Sequence, residues 1–293
     1  LERPTGVVDV MLDTDTYNEI DDQFALSYMI RSTDRLNVRG ICAAPFHNRR
    51  SSGPADGMEK SYQEILKLLK LADREDLTPL VYRGSKQYLF AEDRPVESEA
   101  ARAIIAEAMA HTPEKPLYVV AIGAITNVAS ALLLEPAIRD RVVIVWLGGH
   151  SFEWPHTQEF NMYQDIAAAR VVFGCGAAVV QLPCMGVVSA FISTEPELKA
   201  HFYGKNALCD YLVENTCAYM GDAPMWSKVI WDVTAVAWLL DEKFMEDRIV
   251  PAPIPQYDFH YSHDSRRHPC KYVWHINRDA LLRDLCKKLT MED

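Results

Sequence analysis

The sequence predicts an α/β fold: a mostly parallel, mixed sheet flanked by helices, with a C-terminal antiparallel hairpin. Three observations carry that expectation. Strand-like and helix-like runs alternate along the chain, the pattern of a parallel sheet covered on both faces. The opening run Val7-Val8-Asp9-Val10-Met11-Leu12 is apolar and β-branched apart from Asp9, as a buried strand should be. Four acids, Asp13, Asp15, Asp21 and Asp22, follow at its end, where open α/β sheets place their ligands. No repeat, low-complexity tract or obvious linker interrupts residues 1–293, so they read as a single domain.

The first strand leads through the acidic loop into a helix over Gln23 to Ile30. Leu36 to Ala44 reads as a second strand. Met58 to Leu71 carries Tyr62, Ile65, Leu66 and Leu69 at helical spacing. Pro79 to Tyr82 is a short strand, and Glu97 to Ala110 an alanine-rich helix. Leu117 to Ile122 and Val142 to Leu147 are strands, separated by a helix over Thr126 to Leu134. Ile166 to Phe173 is a helix and Ala177 to Leu182 a strand. Lys228 to Leu240 reads as one helix carrying Trp231 and Asp232. Gln256 to Tyr261 and Lys271 to Ile276 both alternate, so they are expected to pair around the polar turn Ser262 to Pro269.

With 293 residues, 49% of them hydrophobic, the chain can bury a large core. A net charge of -11 and the lack of a long basic run argue against nucleic acid or an anionic membrane as partner. No apolar stretch reaches membrane-spanning length, and Leu1 to Thr5 lacks a signal-peptide pattern. Seven cysteines, an odd number without close pairing or zinc-like spacing, suit a reduced, cytoplasmic chain.

The acids between Asp13 and Asp22 repel one another unless positive charge sits among them. With oxygen donors alone, the expected cation is a hard one, Ca²⁺ or Mg²⁺. The plainer alternative is a solvated loop whose acids favour a helix N-terminus. Three other stretches lie at strand ends or helix starts. Gly123-Ala124-Ile125-Thr126-Asn127 is a strand–turn–helix. Glu159-Phe160-Asn161 suits sugar hydroxyls, or caps the helix that follows. Asp232 sits in an apolar helix, where an acid is costly without a partner such as a metal.

Taken in order, these stretches resemble the nucleoside hydrolase family, the inosine–uridine-preferring N-ribohydrolases. Asp13-Thr14-Asp15 and Asp21-Asp22 match its opening motif, and Asn48 its Asn after the second strand. Gly123 to Asn127, Gly148-Gly149 with Glu159-Phe160-Asn161, and Asp232 match the rest, so the likeness runs from Asp13 to Ala237. The resemblance implies a nucleoside substrate and a Ca²⁺ ion held by Asp15, Asp22, Asp232 and the Ile122 carbonyl. It implies that Asp15 takes a proton from water and that Asp21 and Asn48 hold ribose hydroxyls. Glu159 and Asn161 would grip the sugar's other hydroxyls, and Asp13 would support the loop. It also implies a homodimer or homotetramer.

Two departures shape the expectation. Five residues, Thr16 to Ile20, separate Asp15 from Asp21 where the family usually has three. Trp231 stands where many members carry a His that protonates the leaving base, which looks like the purine-preferring branch, with Trp231 stacking on the base. Tyr17, Tyr88, Phe90, Trp154 and Trp226 are candidates for the opposite face. His47, His150 and His156 are alternative proton donors in strand-end loops. Two rival readings remain. Leu12-Asp13-Thr14-Asp15-Thr16 resembles the nucleophile motif of haloacid-dehalogenase-like Mg²⁺ phosphatases, and an inactive Ca²⁺-dependent sugar- or nucleoside-binding protein would share the same residues.

Overall fold

Along Val8–Thr14 (β1), burial sets in at Val10 and holds to the end of the strand. Val10 and Leu12 enter one core layer and Met11 the other, so the two-residue period of the strand assigns each side chain to a face. The computed structural model describes residues 2–291. From β1 the chain passes through α1 (Asp21–Arg31), β2 (Leu36–Ala43), α2 (Pro54–Leu71), β3 (Val81–Arg83) and α3 (Glu99–Met109). Next come β4 (Leu117–Ala121), α4 (Thr126–Leu134), β5 (Val142–Leu147), α5 (Phe160–Gln164), α6 (Ile166–Gly174) and β6 (Ala178–Leu182).

A smaller unit follows: β7 (Ile192–Thr194), α7 (Glu195–His201), α8 (Ala207–Met220), β8 (Ser227–Val229) and α9 (Val233–Ala237). The chain closes with β9 (Met245–Pro251), β10 (Ile254–Pro255), β11 (Tyr261–Ser262), β12 (Pro269–Ile276) and α10 (Arg278–Thr290). Eight strands form one sheet in the order β3-β2-β1-β4-β5-β6-β12-β9. All neighbours are parallel except β12 and β9. The chain first winds outward from β1 to β3, then crosses to β4 and winds the other way. Between β1 and β4 the winding reverses, and a crevice opens there at the carboxyl ends of the strands.

The expected alternation of strands and helices stands, with four corrections. Asp21 and Asp22 lie in the first turn of α1 instead of the loop before it. The helix expected over Lys228 to Leu240 is cut short, because Ser227–Val229 pairs antiparallel with Ile192–Thr194. Trp231 and Asp232 therefore occupy the turn that opens α9. The antiparallel partner of Lys271 to Ile276 is Met245–Pro251, not Gln256 to Tyr261; Tyr261–Ser262 pairs with Ile254–Pro255. Pro79 and Leu80 end a 3₁₀ turn, Glu75–Leu80, before β3 begins. No disulfide forms among the described residues, and no helix among them is long and apolar enough to cross a membrane.

Candidate active site

The end of β1 splits its polar residues between the two faces of the sheet. Asp13 points toward α4, where its Oδ1 accepts from Asn127 Nδ2 at 2.8 Å. Thr14 points toward α1, and its Oγ1 donates to Asp22 Oδ1 at 2.5 Å. Asp15 lies just past the strand, fully buried, with neither carboxylate oxygen partnered among the described residues. Helix α1 begins here with no side-chain cap, so Asp21 and Asp22 occupy the positive end of its dipole. Helix α9 packs against α1 and brings Asp232, from the far end of the sequence, to the same place. Carboxylate oxygens of Asp21, Asp22 and Asp232 lie within 4.8 Å of one another.

The electrostatics record the crowding. Burial, then the charges of Asp22, Asp21 and Glu19, hold the Asp15 carboxyl well above the usual carboxylate range. Burial, then Asp21, Asp22 and Asp15, does the same to Asp232. Burial and Asp21 push Asp22 up to about 7, although the Thr14 bond works the other way. Burial alone pushes Asp13 up to about 7, opposed by the Asn127 bond. Asp21 is raised by burial too, while Lys228, 3.5 Å away, opposes the shift. Buried acids held this close want a cation. An all-oxygen donor set with two orphaned buried oxygens on Asp15 fits a hard divalent ion.

Above the acids opens a cavity of about 230 Å³. Asp21, Asp22, Asp232 and Ile122 line it, as do the apolar side chains of Leu147, Phe160, Met185 and Trp231. The Ile122 carbonyl accepts one bond, from Asn161 Nδ2 at 3.2 Å, and so keeps a lone pair free. The same Asn161 nitrogen reaches the Leu147 carbonyl at 3.0 Å, tying the ends of β4 and β5 together. Glu159 also lines the cavity. Its carboxylate accepts from the backbone nitrogens of Asn161, Gly149 and Met162 at 2.8, 2.8 and 2.9 Å. That makes it the cap of α5, and burial pushes its pKa up to about 7.

Other residues singled out in the sequence stand farther back. Asn48 is half-buried and donates to Asn18 Oδ1 at 2.6 Å; Asn18, not Asn48, lines the cavity. Tyr17 lies under the Arg50 guanidinium, 4.4 Å from its ring centre, and is not in the cavity wall. Trp154 stands behind the wall, its ring 5.8 Å from that of His150, and Phe90 is 81% exposed. His150 does line the cavity, with Nδ1 accepting from the Met185 amide at 3.2 Å. Burial and His156 lower its pKa to about 4, so its ring is neutral at ordinary pH. Neither Asp13 nor Asp15 is in the cavity wall, and Asp13, turned to Asn127 on the other face of the sheet end, is misplaced for the phosphatase nucleophile that the sequence allowed.

Glu19, Asn18 and Lys228 were not legible as site residues. Lys228 is 7% exposed and pairs with Glu19 at 2.7 Å. Burial works against its ammonium, but Asp21 and Glu19 outweigh that and hold it above the usual lysine range. A lone acid in the long Thr16 to Ile20 loop was the available signal for Glu19. Nothing local marked Lys228.

The sequence profile of the inosine-uridine preferring nucleoside hydrolases matches residues 10–283. The chain belongs to that family. Family members are N-ribohydrolases, and the fold is theirs. An inosine-uridine preferring nucleoside hydrolase of Crithidia fasciculata is 31% identical over 165 residues, 54% of this chain and 52% of that protein. In that alignment the chain thus spans about half the length of its relative. A pyrimidine-specific ribonucleoside hydrolase of Escherichia coli is 28% identical over 79% of each chain. Among solved structures, a purine-preferring ribonucleoside hydrolase from Gardnerella vaginalis superposes with a TM-score of 0.73 at 19% identity, covering 97% of this chain and 98% of that one. A plant nucleoside hydrolase gives 0.78 at 20% identity over 97% and 99%. The last two show likeness of fold.

Proposed function

We propose that this nucleoside hydrolase family member uses Ca²⁺ to hydrolyse the N-glycosidic bond of a ribonucleoside, with purines preferred, releasing free base and ribose. One observation carries the proposal. Asp21 and Asp22 from α1 and Asp232 from the start of α9 converge at the wall of a cavity that Phe160 and Trp231 also line, and Asp15, just past β1, keeps two buried oxygens unpartnered. When bound, the ion neutralises these carboxylates, fixes the sugar diol and acidifies water.

The chain's own groups then divide the work. Asp15, Asp22, Asp232 and the Ile122 carbonyl would hold the ion, and Asp15 would take the proton from the attacking water. Asp21 and Asn18 meet ribose hydroxyls, with Asn48 holding Asn18 in place. Asn161 faces the sugar from the joined ends of β4 and β5, in the position that the Glu159 cap gives it. Positive charge develops on the sugar as the bond breaks, and the surrounding carboxylates stabilise it where it forms. Trp231 stacks on the base, and Phe160 also lines the cavity. His150, neutral, serves the base as a hydrogen-bond partner; it is not its acid.

The test is direct. The protein is incubated with inosine, uridine and p-nitrophenyl phosphate, each in CaCl₂ and in EDTA, and free ribose and p-nitrophenol are followed. Inosine cleaved faster than uridine, in calcium only, is the expected result. Phosphate release without ribose release overturns the proposal. Ribose binding at full calcium occupancy with no turnover favours the sugar-binding reading. A homodimer or homotetramer is the expected assembly, which sedimentation equilibrium tests.

A further inference from the structure

The connection between the two halves of the acidic motif is longer than the family's usual one, and the structure shows what its residues touch. The Asn18 amide closes a turn onto the Asp15 carbonyl at 2.7 Å. That turn sends Glu19 to the cavity wall, where it is held from three sides. Its Oε2 pairs with Lys228 Nζ at 2.7 Å, its Oε1 accepts from the Tyr219 hydroxyl at 3.1 Å, and its carbonyl accepts from Arg50 Nη1 at 3.1 Å. Lys228 is itself buried, on β8, four residues ahead of Asp232. Pairing of β8 with β7, and the Ile230 amide on the Phe191 carbonyl at 2.9 Å, fix its backbone.

The ammonium of Lys228 also stands 3.5 Å from Asp21 Oδ1. Of Asp15, Asp21, Asp22 and Asp232, Asp21 is the one with an ammonium in reach among the described residues. One Asp21 oxygen therefore faces a fixed cation while the carboxylate borders Asp22 and Asp232. Asp21 already stands among the carboxylates that could hold an ion, and without the ammonium beside Oδ1 it would be free to serve as one more ligand. With it, the group is held for another partner. A buried lysine is retained only where carboxylates compensate its desolvation, and here the long loop supplies the second of the two.

We propose that Lys228, clamped by Glu19, is a positioning residue that holds the Asp21 carboxylate turned toward the sugar, which makes the lengthened loop a working part of the site. The proposal rests on the sugar-binding role given to Asp21 above.

The experiment uses the full chain and compares wild type, Lys228→Met, Lys228→Arg and Glu19→Gln. Ca²⁺ and D-ribose binding are measured by calorimetry, thermal stability is measured in EDTA, and crystal structures of ion-free wild type and Lys228→Met are solved. Lys228→Met is expected to weaken ribose binding to the calcium-loaded protein by about tenfold or more, the range seen for partners that orient a binding group. Ca²⁺ affinity should hold within about threefold, or tighten, while the thermal midpoint in EDTA falls because Glu19 and Asp21 lose their cation. Lys228→Arg should keep most of the ribose affinity, and Glu19→Gln should fall between the two. In the Lys228→Met crystal, Asp21 should leave its wild-type rotamer.

An unmoved Asp21 overturns the proposal, whatever the binding result. So does a joint loss of ribose binding, calcium binding and thermal stability, which marks a structural brace, and so does an arginine variant as weak as the methionine one. A wild type that cleaves no nucleoside while these variants behave as expected refutes the proposed function and leaves this inference standing. An active wild type whose Lys228→Met variant binds ribose normally does the reverse.

Discussion

The acid cluster makes a stability prediction that separates an ion site from a merely acidic pocket. Asp13 and Asp22 are fully buried and have pKa values raised from 3.8 to about 7 in the ion-free chain. Between about pH 4 and pH 7 the folded chain then holds protons that the unfolded chain releases, so stability falls as pH rises through that window. For one such group, a change from 3.8 to about 7 corresponds to roughly 4 kcal/mol. Asp13 turns to Asn127 on the other face of β1, so its share of that loss is separate from that of Asp22 and does not depend on the ion. Asp15 and Asp232, also raised, add to the loss.

A divalent ion reverses the sign of the effect, because it binds the deprotonated acids and competes with protons. At about one hundred times its dissociation constant it returns about 2.7 kcal/mol. Urea unfolding at pH 5, 6, 7 and 8, in EDTA and in CaCl₂, measures both terms. In EDTA the midpoint should fall steadily with pH. In calcium the fall should shrink, so the gap between the two series should widen toward pH 8. Parallel series across the whole range would refute the idea that these acids share an ion.

Three mutations probe the division of labour. Asp15→Asn should lower kcat by about 10²- to 10⁴-fold, the contribution of a general base, and should raise stability in EDTA because it removes a buried charge without a partner; steady-state kinetics and urea midpoints check both, and a near-wild-type rate sinks the assignment. Trp231→Ala should cost about 1–3 kcal/mol on purine nucleosides and much less on uridine, read as the change in kcat/KM for each; equal losses reject stacking. Thr14→Val removes the hydroxyl that holds Asp22 Oδ1. It should weaken calcium binding by about 10- to 100-fold with little loss of secondary structure, measured by calorimetry and circular dichroism.

Much of the site was legible because its signals are local. Asp13, Asp15, Asp21 and Asp22 follow a buried strand within one short span, and Glu159 to Asn161 opens a helix after a Gly-Gly strand end. Such patterns depend on near neighbours and on a two- or 3.6-residue period. Lys228 failed that test. In isolation Lys228 to Leu240 continues one helical pattern, yet its first two residues, Lys228 and Val229, pair with Ser193 and Ile192, partners chosen by tertiary packing. The C-terminal hairpin failed similarly. Two alternating runs in sequence looked like partners, but the sheet gave Pro269–Ile276 to Met245–Pro251 and left Tyr261–Ser262 with Ile254–Pro255.

By itself, then, the sequence determined a parallel α/β sheet, the acids at its carboxyl edge and the family those acids mark. Those follow from composition and short-range periodicity, which any chain carries with it. Only the tertiary structure decided that Asp13 turns away to Asn127 while Thr14 turns in to Asp22, and that Glu19 meets Lys228 beside Asp21. These depend on strand register and on helices packed from distant parts of the chain, and no local pattern encodes which buried charges will face each other.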